Sequence, residues 1–166
     1  SAHVAWSSFG SDYLNDLLPL PYDEESLQLL ARHIDEVQQA FGRVILVENP
    51  SSYVGFKAST MPETEFLNEL AHRARCRLLC DVSNVFLSAH NMGDDANQYI
   101  DRLSAEAVAE LHLGGFTPEE DESRPGETLL IDTHAAAITD PVWTLYERAV
   151  RRFGGAPTLI EWDSDI

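Results

Sequence analysis

Residues 75–84 read RCRLLCDVSN, where the apolar run RLLC (77–80) has the length of a strand and is followed directly by Asp81. Apolar runs of similar length recur along the chain: HVAW (3–6), RVILV (43–47), AVAELHL (107–113), TLLI (128–131) and PTLI (157–160). Continuous apolar runs, rather than alternating ones, are typical of parallel strands that are covered on both faces. They predict about six strands of one parallel sheet.

Helical patterns lie between these runs, with apolar residues spaced by three and four. The three clearest helices have N-terminal signals at Asp23, at the pair Thr60 and Glu63, and at Asp140 with Pro141. Their predicted buried faces are Leu27, Leu30, Ile34, Val37 and Phe41; Phe66, Leu67, Leu70 and Ala74; and Trp143, Tyr146, Val150 and Phe153. Strand and helix therefore alternate, which indicates an α/β fold, either an open doubly wound sheet or a (β/α) barrel.

The extent of the chain favours part of a barrel. It has 166 residues, starts on a strand pattern and ends at EWDSDI just after another, whereas a (β/α)8 barrel takes about 250 residues. We therefore expect residues 1–166 to be a single domain, a TIM-barrel fragment that lacks the N-terminal strands and the last helix. The polar stretch FTPEEDESRPGET (116–128) is predicted to be a long loop over one end of the sheet.

Composition excludes several partners. With 28 acidic and 11 basic side chains and a net charge of −17, the chain would repel nucleic acid. No apolar run approaches the roughly 20 residues of a membrane-spanning helix, so we expect a cytoplasmic protein without a membrane partner. Cys76 and Cys80, the only cysteines, are expected to be small buried side chains rather than a disulfide. The acid excess indicates either a solvated surface or carboxylates gathered around metal cations.

Acids and histidines follow the predicted strands in a way that favours the metal. Glu48, Asp81, Glu161 and the pair Asp132 and His134 each come directly after an apolar run, and His112 lies near the end of another. The carboxyl ends of parallel strands open onto one face, so these side chains are expected to converge. In DTH, the two-residue spacing points Asp132 and His134 the same way in an extended chain, where both can bind one cation. Histidine with carboxylate suits iron, manganese or zinc.

The sequence resembles a known family through an ordered set of motifs: SAH, VENPSSYV, CDVSNVFLSAHNMG, ELHLGGF, LIDTHA and PTLIEWD. They are similar to those of the multinuclear non-haem iron-dependent oxidases, the bacterial family of the methanobactin-biosynthesis oxidase, formerly a domain of unknown function. The resemblance implies a xylose-isomerase-like (β/α)8 TIM barrel with two or three irons, Fe2+ or Fe3+, at the strand ends and dioxygen as co-substrate. It also implies natural product biosynthesis, by oxidative modification of a cysteine in a ribosomally synthesised precursor peptide that a second protein delivers.

The resemblance also assigns roles to residues. Its implied iron ligands are His3, Glu48, Asp81, His112, Asp132, His134 and Glu161, with Asp132 and His134 at the catalytic centre, and the missing strands are expected to supply a further histidine. Asn84 is either an oxygen ligand or donor beside the metal, or an amide that satisfies loop backbone. His90 and Asn91 could face the site, although a solvated loop histidine is the simpler interpretation of His90. Gly114 and Gly115 indicate a close approach of backbone to substrate or metal, or an ordinary turn.

Two other hypotheses remain open at this level. A similar barrel with the same ligand types could be a divalent-metal sugar isomerase or phosphoesterase, although no basic phosphate clamp is evident near the motifs. Alternatively, the chain could be an inactive barrel fragment that retains the motifs without the activity. Metal identity and oxygen consumption separate the first of these from the oxidase.

Overall fold

The computed structural model describes residues 2–121 and 124–164. The elements, in chain order, are β1 (Ala2–His3), β2 (Trp6–Phe9), β3 (Asp12–Leu18), α1 (Glu24–Phe41), β4 (Leu46–Glu48), α2 (Glu63–Ala74), β5 (Arg77–Asp81), α3 (Val82–Met92), α4 (Ala96–Arg102), β6 (Val108–Gly114), β7 (Phe116–Glu120), β8 (Thr128–Asp132), α5 (Asp140–Phe153) and β9 (Thr158–Glu161).

Five of these strands form one parallel sheet in the order β1-β4-β5-β6-β9. Helices connect most neighbouring strands, as they must where parallel strands follow each other in sequence. The predicted α/β class with a parallel sheet is therefore confirmed. β2 and β3 pair separately as an antiparallel hairpin between β1 and α1.

The sixth predicted strand lies elsewhere. The run TLLI belongs to β8, which pairs antiparallel with β7 in a second hairpin instead of joining the parallel sheet. Part of the stretch 116–128, predicted as a loop, thus forms β7, with Phe116 opposite Asp132 and Glu120 opposite Thr128. Thr117 and Thr133 hydroxyls lie 2.9 Å apart across this hairpin. The backbone of residues 116–120 finds its hydrogen-bond partners on β8. A prediction from the composition of 116–128 alone cannot detect that pairing, because it depends on the neighbouring strand.

The predicted caps of α1 are confirmed, since the Asp23 side chain accepts a hydrogen bond from the Ser26 amide at 2.8 Å and Gly42 ends the helix at φ 63°. Leu27 and Ile34 of its predicted face are buried, but Val37 and Phe41 at the end of the helix are exposed. The predicted capping box of the second helix is wrong, because α2 begins after Pro62 without a side-chain cap.

In α5 the buried face is displaced by about one residue from the prediction. Its buried residues are Val142, Leu145, Ala149 and Phe153, whereas Trp143 and Val150 are exposed.

The hydrophobic core lies between the parallel sheet and the helices on its outer side. Its largest fully buried side chains include Phe66 and Leu70 of α2, Leu78 of β5 and Leu111 of β6. The Phe66 ring also packs against Tyr22, with 5.1 Å between ring centroids. Both cysteines are free and buried, as predicted. Among the described residues, no helix combines the length and the apolar character needed to cross a membrane.

Replacement of Phe66 by alanine should lower the free energy of unfolding by about 3–5 kcal/mol, because it leaves a cavity in a fully buried position. The matched control is Phe41→Ala in α1, where the side chain is 72% exposed and the expected change is within about 0.5 kcal/mol. Urea unfolding followed by circular dichroism measures both. Equal effects of the two substitutions would contradict this description of the core.

Candidate metal centre

Three neighbouring parallel strands bring two carboxylates and a histidine together at their carboxyl ends. Glu48 ends β4, Asp81 ends β5, and His112 lies opposite Asp81 in the register of β5 and β6. All three are buried, and one potential ligand atom from each lies within 4.8 Å of the other two. This is the arrangement that the strand-end pattern predicted, and it has the separation of side chains that share one cation.

The remaining predicted residues extend this cluster. Glu161 ends β9 and places Oε1 3.3 Å from Nδ1 of His112 and Oε2 3.3 Å from Nε2 of His134. Nε2 of His134 also lies 3.0 Å from Oδ1 of Asp132. The structure therefore connects the buried triad to the DTH motif through Glu161. His3, on the edge strand β1, lies beside the cluster, with Nε2 3.4 Å from Oε2 of Glu48 and a side chain that is 40% exposed.

Several polar atoms in the cluster are buried and have no hydrogen-bond partner among the described residues. They are Nδ1 of His112, Nε2 of His134, Oδ1 of Asp132 and Oδ1 of Asn84. The first three lie close to other polar atoms but outside hydrogen-bond geometry. Buried atoms of this kind are costly without a partner, and native proteins usually satisfy them. A metal cation would satisfy the lone pairs of all four, so the residues fit a metal.

The electrostatics of the cluster lead to the same conclusion. Burial, followed by the nearby Asp132, Glu48 and Glu161 carboxylates, raises the pKa of Asp81 from 3.8 to about 7, although the Asn84 amide stabilises the charged form. Burial raises the pKa of Asp132 as well. Burial alone would lower the pKa of His134, but the Asp132 and Glu161 carboxylates outweigh it and raise that pKa. Such a group of carboxylates is unfavourable unless a cation offsets their charge.

Two histidine rings are oriented by carboxylates on the side away from the cluster. Nε2 of His112 lies 3.2 Å from Oε1 of Glu110, and Nδ1 of His134 lies 3.2 Å from Oδ2 of Asp163. An ionised carboxylate can only accept a hydrogen bond, so each of these nitrogens carries the proton. In a neutral ring the other nitrogen then presents a lone pair, which is the arrangement that metal-binding histidines use, whereas in the metal-free protein the raised pKa of His134 favours a second proton there.

A buried amide network positions the strand ends. Asn49 pairs with the Asp81 backbone in both directions, because its Oδ1 accepts from the Asp81 amide at 2.9 Å and its Nδ2 donates to the Asp81 carbonyl at 3.0 Å. The Asn84 amide donates to Oδ1 of Asp81 at 2.8 Å, and its Nδ2 donates to the Asn49 carbonyl at 3.1 Å. Asn84 thus satisfies loop backbone with its nitrogen, as one of the two interpretations of the sequence expects, while its buried oxygen has no partner among the described residues.

Gly114 provides the space for one of the histidines. A Cβ at this position would collide with Cδ2 of His134, and a Cβ at Gly115 would collide with the Ala136 carbonyl. The two glycines therefore allow the backbone of β6 to approach the DTH segment, rather than a substrate. His134 has φ 49°, and its amide donates to the Gly115 carbonyl at 2.8 Å, so this left-handed residue is fixed against β6.

His90 and Asn91 do not join the cluster. His90 is exposed, with Nε2 3.0 Å from the Thr128 carbonyl. Asn91 is buried and exchanges two hydrogen bonds with the backbone of Leu130, at 2.9 and 3.0 Å. Both residues attach β8 to α3, and they contribute to the site by holding the hairpin that carries Asp132.

Sequence reasoning missed Asn49, Glu110 and Asp163. Glu110 and Asp163 each lie two residues from a predicted ligand, in ELH and EWD, so the spacing that singled out DTH could have identified them. Asn49 directly follows Glu48, but its partner is the backbone of another strand, and a single sequence carries no signal for that contact.

Comparison with known proteins shows which family this chain belongs to. The model of the RiPP precursor modification enzymes MbnB/TglH/ChrH matches residues 1–166. The chain belongs to this family, whose name describes enzymes that modify the precursors of ribosomally made peptides, and the recognition made from the motifs is confirmed.

Curated relatives include UPF0276 proteins of Paraburkholderia phytofirmans and Rhizobium meliloti, each 49% identical over the whole chain, which covers 53% of either relative. A UPF0276 protein of Vibrio parahaemolyticus is also 49% identical, and the chain covers 57% of it. The chain thus spans about half the length of these relatives. A xylose isomerase domain containing protein of Salmonella typhimurium LT2 superposes with a TM-score of 0.47 at 14% identity, over 89% of this chain and 54% of that one.

Replacement of Gly114 by alanine should weaken divalent metal binding by about 10-fold or more, because the new methyl group displaces the His134 ring. Gly155→Ala is the matched control, since a Cβ there meets no described atom within 4 Å. Cobalt titration followed by visible absorption measures the affinity, and circular dichroism checks the fold. Undiminished cobalt binding by the Gly114→Ala protein would contradict the placement of His134.

The metal-free protein should lose stability as pH rises from about 4 to about 7. In this range the unfolded Asp81 carboxyl has lost its proton, whereas the folded one retains it because its pKa is about 7. Folding then favours the protonated form, so the free energy of unfolding falls as pH rises through this interval. Urea unfolding of chelator-treated protein measures the slope, which Asp81→Asn should reduce. An identical slope in this variant would show that Asp81 is not the group responsible.

Proposed function

We propose that the protein is an iron-dependent, oxygen-using oxidase that modifies a cysteine of a ribosomally synthesised precursor peptide. The observation that carries the proposal is the group of buried, unpartnered atoms on His112, Asp132 and His134, adjacent to Glu48, Asp81 and Glu161. Membership of a family of precursor modification enzymes supports the peptide as substrate. A second protein that delivers the peptide is part of the same proposal.

The charge of the cluster supports more than one metal ion. Its four carboxylates, on Glu48, Asp81, Asp132 and Glu161, would formally balance two ferrous ions. Their arrangement in two parts, the buried triad and the DTH motif with Glu161 between them, gives each ion its own carboxylate and histidine. Mixed histidine and carboxylate ligation suits iron that must leave coordination positions open.

The residues of this chain would hold the metal in a defined orientation. Glu110 and Asp163 fix the tautomers of His112 and His134, so that neutral imidazole nitrogens face the cluster. Asn49 and Asn84 lock the Asp81 strand end to that of Glu48. His3 is the most exposed of the predicted ligands and lies beside Glu48, with Nε2 3.4 Å from its Oε2. When bound, iron would supply the redox chemistry with dioxygen and lower the pKa of the substrate thiol.

The antiparallel hairpin carries Asp132 and borders the cluster. β7 presents Glu119 and Glu120 to solvent, and Arg124 at its turn pairs with Asp121 at 2.8 Å. We assign this hairpin to contact with the peptide. The assignment follows from its position, because it is the only element among residues 2–121 and 124–164 that brings a predicted ligand to the site from outside the parallel sheet.

Asp132→Ala in the full-length protein should abolish loading of at least one iron, since it removes the carboxylate that lies beside His134 in the DTH motif. Glu119→Ala, an exposed acid on the same hairpin, is the control and should retain full iron content. Iron analysis with Mössbauer spectroscopy on anaerobically purified protein measures both, followed by oxygen uptake with a cysteine-containing precursor peptide. Unchanged iron content and turnover in Asp132→Ala would contradict the site. Zinc or manganese without oxygen uptake would instead favour a sugar isomerase or phosphoesterase.

A further inference from the structure

A second concave site lies outside the carboxylate and histidine cluster. It is a cavity of about 600 Å³ bounded by the segment that follows β4, the start of α2, the second half of α3 and helix α4. Its lining includes Tyr22, Phe56, Glu63, Met92 and Tyr99. None of the residues predicted as metal ligands lines it, so its chemistry must be explained separately.

The polar part of the cavity is a carboxylate between two tyrosines. The Tyr99 hydroxyl donates to Oε1 of Glu63 at 2.6 Å. The Tyr22 hydroxyl is buried beside the same carboxyl group and also stabilises its charged form by hydrogen bonding. Burial nevertheless raises the pKa of Glu63 to about 7. The site thus holds a poorly solvated carboxyl group flanked by two hydroxyl oxygens, each of which can still accept a hydrogen bond.

The mouth of the cavity is apolar and its charge is negative. Val54, Phe56 and Met92 are exposed there, and Gly55 approaches Met92 so closely that an added Cβ would lie 3.1 Å from its Cε. The charged lining residues that the structure describes are three acids, Glu63, Asp94 and Asp95, and one base, Arg102. Arg102 donates to Oε1 of Gln98 at 3.0 Å, and among the described residues no ion pair joins it to Glu63, Asp94 or Asp95.

The cavity is connected to the metal cluster through its wall. The segment that lines it begins just after Glu48 and Asn49, and the Ser52 amide donates to Oγ of Ser88 on α3 at 2.8 Å. Asn91, which holds β8, also donates to the Ser52 carbonyl at 3.5 Å. One short segment therefore borders both sites.

We propose that this cavity binds an arginine side chain of the precursor peptide and so helps to select the peptide. A guanidinium can donate to Glu63 and to the Tyr22 hydroxyl in its planar geometry, while its methylene stem lies along Phe56 and Met92. The identity of the ligand as a peptide rests on the proposed function, whereas the preference for a guanidinium rests on the cavity alone.

The test uses Nα-acetyl-arginine amide, with its neutral isostere Nα-acetyl-citrulline amide, on the full-length metal-free protein. Titration followed by amide NMR shifts should show saturable arginine binding at Glu63, Gly93 and Tyr99, at least about 10-fold tighter than citrulline. Glu63→Gln should remove this preference. The control is Glu65→Gln, at an exposed acid two residues further along α2, and it should retain the preference.

Equal binding of the two probes by the unmodified protein would overturn the proposal, and that comparison does not depend on how any variant folds. Arginine-induced shifts confined to Glu48, Asp81 and His112 would also overturn it, because they would indicate non-specific attraction to the acidic cluster. Iron content is measured on separate samples of the same proteins, purified anaerobically without chelator. Loss of arginine selectivity with normal iron content therefore rejects the cavity proposal alone, and selectivity without iron loading rejects the oxidase alone.

Discussion

Repulsion between buried carboxylates is the constraint on which the arrangement of this protein depends. The parallel sheet brings the ends of β4, β5 and β9 to one edge, with β6 and its His112 between β5 and β9, and each of these three strands ends in an acid. Asp81 is 1% exposed, so water contributes little to the solvation of its charge. A fold that gathers acids in this way needs a positive charge at their centre, and the neighbouring residues are arranged as if that charge were present.

The histidines show this arrangement most clearly. Each of His112 and His134 gives one ring nitrogen to an outer carboxylate and leaves the other facing inward, although inward-facing atoms without partners destabilise a folded protein. Asn84 repeats the pattern, because its nitrogen donates to backbone and its oxygen has no partner among the described residues, whereas Asn49 uses both atoms on the Asp81 backbone. On His112, His134 and Asn84, interactions that stabilise the fold thus occupy one side of the polar group and leave the other side unpartnered.

The sequence predicted the part of this design that follows from local rules. An apolar run that ends in an acid identifies a buried strand and its functional end together, which is why Glu48, Asp81 and Glu161 could be named in advance. The hairpin of β7 and β8 could not, because TLLI has the same composition as a parallel strand and only its partner, the polar FTPEE, decides its direction. The face of α5 differed by about one residue, except at Phe153, because its apolar residues come in adjacent pairs, at 142–143, 145–146 and 149–150, and either member of a pair could be the buried one. The structure brings the seven side chains close together, and their role as metal ligands stays a prediction.

The contact between Gly114 and His134 has a consequence for design. The imidazole rests against bare backbone, so the hydrogen atom at position 114 is as much a component of the site as the ring it accommodates. A designer who transferred the acids and histidines to another barrel, without this glycine and the left-handed backbone of His134, would obtain a ring that points elsewhere. The two histidines can therefore be transferred to another barrel only together with their segments, ELHLGG and LIDTHA, and not as side chains alone.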